Sequence, residues 1–377
     1  MNKQSRDYDE ELAQLLASTR QYCQGLPLPI APPVQDDISL VPTLTWVVES
    51  SDEHIQAEIH RLKGAGQDDI RHKYIGRLNK RTGRDTVIYF SSYGIQRPFP
   101  VPATALSVSQ DDIQGFMASL HKLKGDSLDL ILHSPGGSLE AADQIVQYLR
   151  AKYRHIRAIV PQNAMSAATM IACACDEIVL GKHSAIGPID PQMLFGQLAI
   201  PAHTILSDFE KARADITNAP QLGQLWAPRL ANLPPGFLNL CEQTIRLAKE
   251  KVEFWLGKYM FAGQDQEKAH SIAEWLGNFE EHRTHGRPIG FDLAHEKGLK
   301  VKRLEDNQDL QEAVLSVFHA TMVTFQSTSC LKIIENHHGK GHYLVANVVV
   351  QPVAQANAQQ AQQGAQADGL AAGEPAA

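Results

Sequence analysis

Between Thr86 and Gly181 the chain changes its hydrophobic period several times. TVIYFSSY from Thr86, SLDLILHS from Ser127, IRAIVPQN from Ile156 and DEIVLG from Asp176 are short, mostly apolar runs. Runs of this length bounded by polar residues predict strands. Between them, DDIQGFMASLHKL, SLEAADQIVQYLRAKY and AMSAATMIACAC have the spacing or composition of helices. Ser109 or Asp111 stands where the first of these helices needs an N-cap. Strands alternating with helices predict an α/β core, a mostly parallel sheet with helical crossovers.

Beyond Pro191 the pattern is mainly helical. TILSDFEKARADIT sets Ile205, Phe209, Ala212 and Ile216 on one face. FLNLCEQTIRLAKEKVEFWLGKYM repeats that spacing with Cys241, Ile245, Ala248, Val252 and Trp255. This long helix is expected to pack on the core or on a sister subunit. Before Thr86, a polar N-terminal helix leads to the Pro-rich connector LPLPIAPPV, followed by two helix-like pieces, HIQAEIHRLKG and RHKYIGRLNKRTG. The last stretch, QPVAQANAQQAQQGAQADGLAAGEPAA, has neither aromatics nor periodicity and is expected to be disordered. The expected divisions are a polar, helical extension over 1–69, the α/β domain over 70–300, a C-terminal extension over 301–350, and the Ala/Gln-rich tail over 351–377.

Composition narrows the class. Hydrophobic residues make up 43% of the 377 positions, enough for a sizeable core. A net charge of −7 argues against general nucleic-acid binding, which needs a basic face. The five cysteines, Cys23, Cys173, Cys175, Cys241 and Cys330, are odd in number and irregularly placed, which suits a reducing compartment. The N-terminus MNKQSRDYDEELAQLLAST shows no signal-peptide core, and no uncharged apolar run reaches membrane-spanning length. A soluble, cytoplasmic protein is expected.

Two stretches carry candidate chemistry. In LILHSPGG a strand ends on Pro135, which holds the chain extended, and on Gly136 and Gly137, which turn without a Cβ. Their N–H groups are free to face a ligand, or the corner is an ordinary strand-to-helix turn capped by Ser138. In VPQNAMSAATMIACACDEIVL, Ser166 opens a helix so rich in alanine and cysteine that it must be closely packed. There the backbone donors are unspent and the helix dipole is most positive. The N–H of Ala167 can add a second donor for an oxyanion, or Ser166 is a buried cap. In a parallel sheet both stretches fall at the C-terminal edge of the strands, where such sheets place their ligands.

LILHSPGGSLEAADQIVQYL, VPQNAMSAATMIACACDEIVLGKHSAIGPIDPQ and THGRPIGFDLAHEKGL together resemble the serine dehydrogenase proteinase family, serine proteinases of the Clp/crotonase-like fold. These are relatives of signal peptide peptidase A and the Clp proteolytic subunit. The resemblance covers about residues 70–300 and implies an oligomeric peptidase acting on protein or peptide substrates. It implies Ser166 as nucleophile and Gly136, Gly137 and Ala167 as the backbone of an oxyanion hole. It calls for no cofactor and no metal; HHGKGH (His337, His338, His342) lacks carboxylate or cysteine partners at ligand spacing and reads as a polar loop.

A serine hydroxyl needs a base. The signal-peptide-peptidase arrangement would use a lysine, and Lys211 is the lysine in the right interval. Lys211 lies about 130° from the centre of its helix's apolar stripe, however, with Asp208 and Asp215 at pairing distance along the helix. The Clp-type arrangement uses a histidine and an aspartate from two later segments. His285 and Asp190 fall at those positions with the two roles interchanged, which leaves the geometry of a triad intact. An imidazole ordinarily titrates near ~6.5 and needs no large shift to act as base. The reading favours His285 with Asp190, with Lys211 as the alternative. Two rival functions stay open: a crotonase-type acyl-thioester enzyme sharing the glycine corner, and an inactive peptide-binding scaffold.

Overall fold

The computed structural model describes residues 38–48, 67–195 and 198–352. The expected N-terminal helix, the Pro-rich connector, HIQAEIHRLKG and the tail after Pro352 lie outside the described residues. Chain contacts divide the protein into two compact units. One gathers residues 38–46, 95–101 and 344–352 among those described, and in it β1 (Ile38–Val48) neighbours the last strand.

The other unit, residues 47–48, 67–94, 102–195 and 198–343 among those described, holds the predicted α/β core. Its described elements begin with α1 (Gln67–Thr82), β2 (Asp85–Ser91), α2 (Asp112–Leu120), β3 (Ser127–His133), α3 (Leu139–Lys152) and β4 (His155–Val160). There follow β5 (Asn163–Ala164), α4 (Ala167–Cys173), β6 (Glu177–Leu180), β7 (Ala185–Ile186) and the hairpin β8 (Gln192–Phe195)–β9 (Leu198–Pro201). Next come α5 (Ala202–Asn218), α6 (Phe237–Trp255), α7 (Gln266–Leu276), β10 (Val301–Arg303), α8 (Gln308–Ser327) and β11 (Cys330–Asn336).

Within this unit the sheet runs β11-β2-β3-β4-β6-β10. Its five strands from β2 to β10 are mutually parallel, and β11 joins β2 antiparallel, pairing Ile333 with Phe90. Strands β10 and β11, from the segment expected to form a C-terminal extension, thus belong to this unit's sheet, β10 at its edge beside β6 and β11 beside β2. The predicted strands and crossover helices are all present, with bounds shifted by a few residues. Of the helix caps, Ser138 accepts the N–H of Ala141 at 3.1 Å as expected. The expected cap of α2 is not made by Ser109 or Asp111; the carboxylate of Asp112 takes the N–H of Ser109 at 2.8 Å instead.

From Leu128 to His133 every residue of β3 is buried, as for a parallel strand covered on both faces. One face packs Val87, Leu130, Ala158 and Ile178 against Phe116 of α2 and Ile145 and Leu149 of α3. Burial of each such large side chain contributes ~1.5–3 kcal/mol. Helix α4 is buried throughout, and Ala168, Ala172 and Cys173 let its backbone approach the sheet closely. Cys173 and Cys175 are free and fully buried, and burial pushes the Cys175 thiol up to about 12. They are packing residues, not nucleophiles. No helix among the described residues is long and apolar enough to cross a membrane.

Candidate active site

The sheet's parallel order brings the C-terminal ends of β3, β4 and β6 to one edge, and there the two marked stretches meet. After β3 the chain does not leave its neighbour. The Ser134 N–H donates to the Asn163 carbonyl at 3.0 Å, and the Met165 N–H donates to the Ser134 carbonyl at 3.0 Å. This bridge between Ser134 and Ala164 sets the glycine corner directly against the turn into α4. A Cβ on Gly136 would lie 2.6 Å from Ser166 Cβ, 2.5 Å from the Met165 carbonyl oxygen and 3.0 Å from the Ala167 nitrogen. Only glycine fits there, and its φ of +95° is also one that other residues rarely adopt.

Ser166 itself has φ 49° and ψ −118°, outside the favoured regions for an L-residue. Such a conformation costs of order 1–3 kcal/mol and persists only where the surroundings impose it. Thr169 contributes to that imposition: its hydroxyl donates to the Ala164 carbonyl at 2.7 Å and accepts the Gly187 N–H at 2.9 Å. The Ser166 side chain is left partly exposed at the mouth of the turn.

The glycine corner is also held from its far side. On the other side of the corner, the Val108 N–H donates to the Gly136 carbonyl at 2.7 Å, and the Ser138 N–H to the Val108 carbonyl at 2.9 Å. Gly137 lies between those two bonded groups in a parallel bridge to Val108, so its own N–H faces the opposite way. Gly137 is solvent-exposed. Among the described residues neither its N–H nor that of Ala167 has a protein acceptor. The Gly136 N–H is engaged, donating to Ser134 Oγ at 3.3 Å.

Two short pairings then place the acid–base candidates. β5, just before Ser166, pairs in parallel with β7, and Ile186 of β7 bridges Ile289. Asp190 follows β7 by four residues and His285 precedes Ile289 by four, so their loops lie beside the nucleophile turn. His285 Nδ1 and Asp190 Oδ1 are 2.9 Å apart, with Asp190 fully buried and the imidazole 19% exposed. The Asp190 loop is anchored at both ends: the Ile189 N–H donates to the Leu276 carbonyl at 3.0 Å, and the Ala202 N–H to the Pro191 carbonyl at 2.9 Å. His285 Nε2 has no partner among the described residues, which leaves it open to a proton from a hydroxyl. Two further histidines stand near this aspartate, His203 and His282, both held below the usual imidazole range by burial.

Lys211 is not among these groups. It is exposed on α5, whose apolar face, with Ile205 and Ala212 buried, turns the other way. The expected pairing of Lys211 with Asp208 and Asp215 does not form among the described residues; Asp215 accepts from Trp226 at 3.1 Å, and Arg213 pairs with Glu210 at 2.6 Å. No group of three or more His, Cys, Asp or Glu among the described residues is arranged to hold a metal ion. The His337 and His338 rings meet at a tilt of 50°, centroids 4.1 Å apart. No local pattern marks Thr169 or the Val108 segment, whose contributions arise from non-local pairing.

Residues 109–329 match the family described as ClpP-like SDH-type serine proteinase. The uncharacterized protein MJ0137 of Methanocaldococcus jannaschii is 32% identical over 204 residues, which cover 54% of this chain and 63% of that protein. MJ1495 of the same organism is 30% identical over 175 residues, 46% of this chain and 51% of that protein. The chain therefore spans less than two thirds of either curated relative. A solved membrane-bound stomatin-specific protease aligns over 55% of this chain and 79% of its own at 16% identity, with a TM-score of 0.33, a likeness too slight to bear on function.

Proposed function

The chain belongs to the ClpP-like SDH-type serine proteinase family, and from that premise we propose that it is an endopeptidase cleaving peptide bonds through an acyl-enzyme on Ser166. The observation that carries this reading is the seating of Gly136 directly on Ser166, beneath two unspent backbone donors. Ser166 Oγ attacks the substrate carbonyl carbon while its proton passes to His285 Nε2. The carbonyl oxygen becomes an oxyanion held by the N–H groups of Gly137 and Ala167, each such donor being worth ~3 kcal/mol in the transition state. Gly136 supplies the close approach, since its own N–H serves Ser134. The C–N bond then breaks and the leaving amine takes the proton from His285; water, giving a proton to His285, attacks the ester carbon, and the bond to Ser166 Oγ breaks as that oxygen takes the proton back. Asp190 holds the imidazole through Nδ1 and offsets its charge while it carries the proton.

The same proposal includes a homo-oligomer. Leu194 and Leu198 on the β8–β9 hairpin are 69% and 67% exposed, and Leu225 is 70% exposed, an apolar surface suited to a sister subunit.

The deciding experiment is labelling with a fluorophosphonate, which traps an activated serine, read beside cleavage of an unfolded protein such as casein. Wild type and Lys211→Ala should label and cleave; Ser166→Ala should do neither, and His285→Ala should lose most of both. Label retained in Ser166→Ala would end the acyl-enzyme reading. Turnover of an acyl-thioester without label would point to the crotonase-type chemistry instead.

A further inference from the structure

The Val108 segment that carries the glycine corner is itself held by a buried ion pair from distant parts of the chain. Lys332 of β11 and Asp112 of α2 are 1% and 0% exposed and 2.8 Å apart. Lys332 Nζ also donates to the Ser107 carbonyl at 2.7 Å, while Asp112 Oδ2 accepts the Ser109 N–H at 2.8 Å. The pair thus grips the backbone on each side of Val108, and Val108 bonds the Gly136 carbonyl and the Ser138 N–H. A second route leads to the same corner. Tyr89 donates its hydroxyl to Asp112 Oδ2 at 2.5 Å. The Tyr89 oxygen also meets the hydroxyl of Ser134, the residue whose Oγ accepts the Gly136 N–H. Gly137 lies so close to the gripped segment that a Cβ there would be 2.4 Å from Val108 nitrogen and oxygen.

We propose that Lys332 and Asp112, with Tyr89, are positioning residues for the oxyanion site, fixing the plane of the Gly136–Gly137 peptide groups so that the Gly137 N–H meets the developing charge. The inference rests on the acyl-enzyme reading above and adds to it residues that touch no substrate. A fold-stabilising role alone would not require the pair to bond the two peptide groups flanking Val108. Charge-assisted bonds with several partners each are stiff and directional. Loss of ~1 Å of alignment at a reacting centre reduces rate by about 100-fold.

The test replaces both charges at once, Lys332→Met with Asp112→Asn, because removing one alone strands the other in the interior. Thermal unfolding and near-UV circular dichroism establish folding; kcat, KM and the inhibition constant of a peptide boronate, a tetrahedral adduct former, report the site. The expected result is a folded enzyme with kcat lower by about 10- to 100-fold, boronate affinity weaker by a similar factor, and KM within about threefold of wild type. Tyr89→Phe, which removes one hydroxyl and little volume, should lower kcat several-fold with KM unchanged. A folded double variant with wild-type kcat overturns the proposal. If the double variant fails to fold, Tyr89→Phe decides, and a wild-type kcat there overturns it. Ser166→Ala is run in parallel: residual turnover in it strikes the acyl-enzyme reading, whereas Ser166-dependent turnover that ignores the pair strikes this inference alone.

Discussion

Strand β11 carries two buried charges three positions apart, Lys332 and Glu335, and the strand's two-residue period turns them to opposite faces of the sheet. Both are ion-paired. Glu335 meets Arg71 at 2.6 Å, and Arg71 continues to Asp68 at 2.6 Å and to Thr324 at 2.9 Å. These bonds join α1, α8 and β11 to one another, and the Arg71 guanidinium also lies over the Tyr343 ring. On the other face, the bonds of Lys332 and Asp112 end on the backbone of residues 107 and 109 and lead on to the glycine corner. Two buried pairs of similar chemistry on one strand therefore have different connections. Burial and pairing alone do not distinguish a structural ion pair from one that serves a site; the groups their remaining bonds reach do.

The largest expected effect comes from disturbing the corner itself. Gly136→Ala places a methyl group where Met165, Ser166 and Ala167 already lie, and asks alanine for φ +95°. Activity in casein cleavage and fluorophosphonate labelling should fall by about 1,000-fold, the loss of at least one oxyanion donor together with a displaced nucleophile. A variant that cleaves within about threefold of wild type would show that the corner is remote from the chemistry, and the contrast between the two ion pairs would lose its meaning.

Arg71→Met tests the opposite face. It leaves Glu335 as an uncompensated buried charge, so stability should drop by ~3–5 kcal/mol in urea unfolding. The fraction that remains folded should keep kcat near that of wild type, because none of these bonds reaches the glycine corner. A kcat that falls along with stability would mean that both faces of β11 support the site alike.

A pH titration sharpens the same contrast without a loss of packing. Burial alone would push Glu335 up, but Arg71 and His72 outweigh it and hold the carboxylate at about 2 against an ordinary 4.5. A carboxylate depressed in the folded state stabilises the fold above its unfolded pKa, and that contribution is lost as pH falls from about 4.5 toward about 2. Melting temperature should accordingly decline across this window, and Glu335→Gln should flatten the decline while lowering the melting temperature at neutral pH. An unchanged slope in that variant would show that other carboxylates govern the acid limb.

The order in which these features could be read from the chain follows from their range. Ser166, the two glycines and the strand–helix alternation are local patterns, visible within a dozen residues. His285 and Asp190 needed a resemblance to bring them together, since 95 positions separate them. Lys332 and Asp112 are 220 positions apart, and nothing in LKIIEN distinguishes an inward lysine from an outward one. Next to Asp112, the sequence pattern offers Ser109 or Asp111 as the helix cap; only the approach of Tyr89 and Lys332 shows why the carboxylate of Asp112 is the one that turns inward. The division of the chain at residue 300 marks where the resemblance ends, and the motifs that carry it hold no record that β10 and β11 pair with β6 and β2.

The smallest expected effect is at Lys211, and it follows from the same rule of tracing where bonds lead. A lysine general base must be desolvated to lose its proton near neutral pH, a shift of ~3 units that burial supplies. Lys211 is exposed, on the polar side of a helix whose apolar side seats Ile205 and Ala212, and among the described residues no hydrogen bond or ion pair joins its side chain to the nucleophile turn. Lys211→Ala should therefore leave kcat/KM for casein within about twofold of wild type and the melting temperature unchanged. Loss of fluorophosphonate label in this variant, with label kept in His285→Ala, would transfer the role of base to the lysine. A sister subunit would then have to bury Lys211 against Ser166, a requirement that dilution of the oligomer would expose as a concentration-dependent rate.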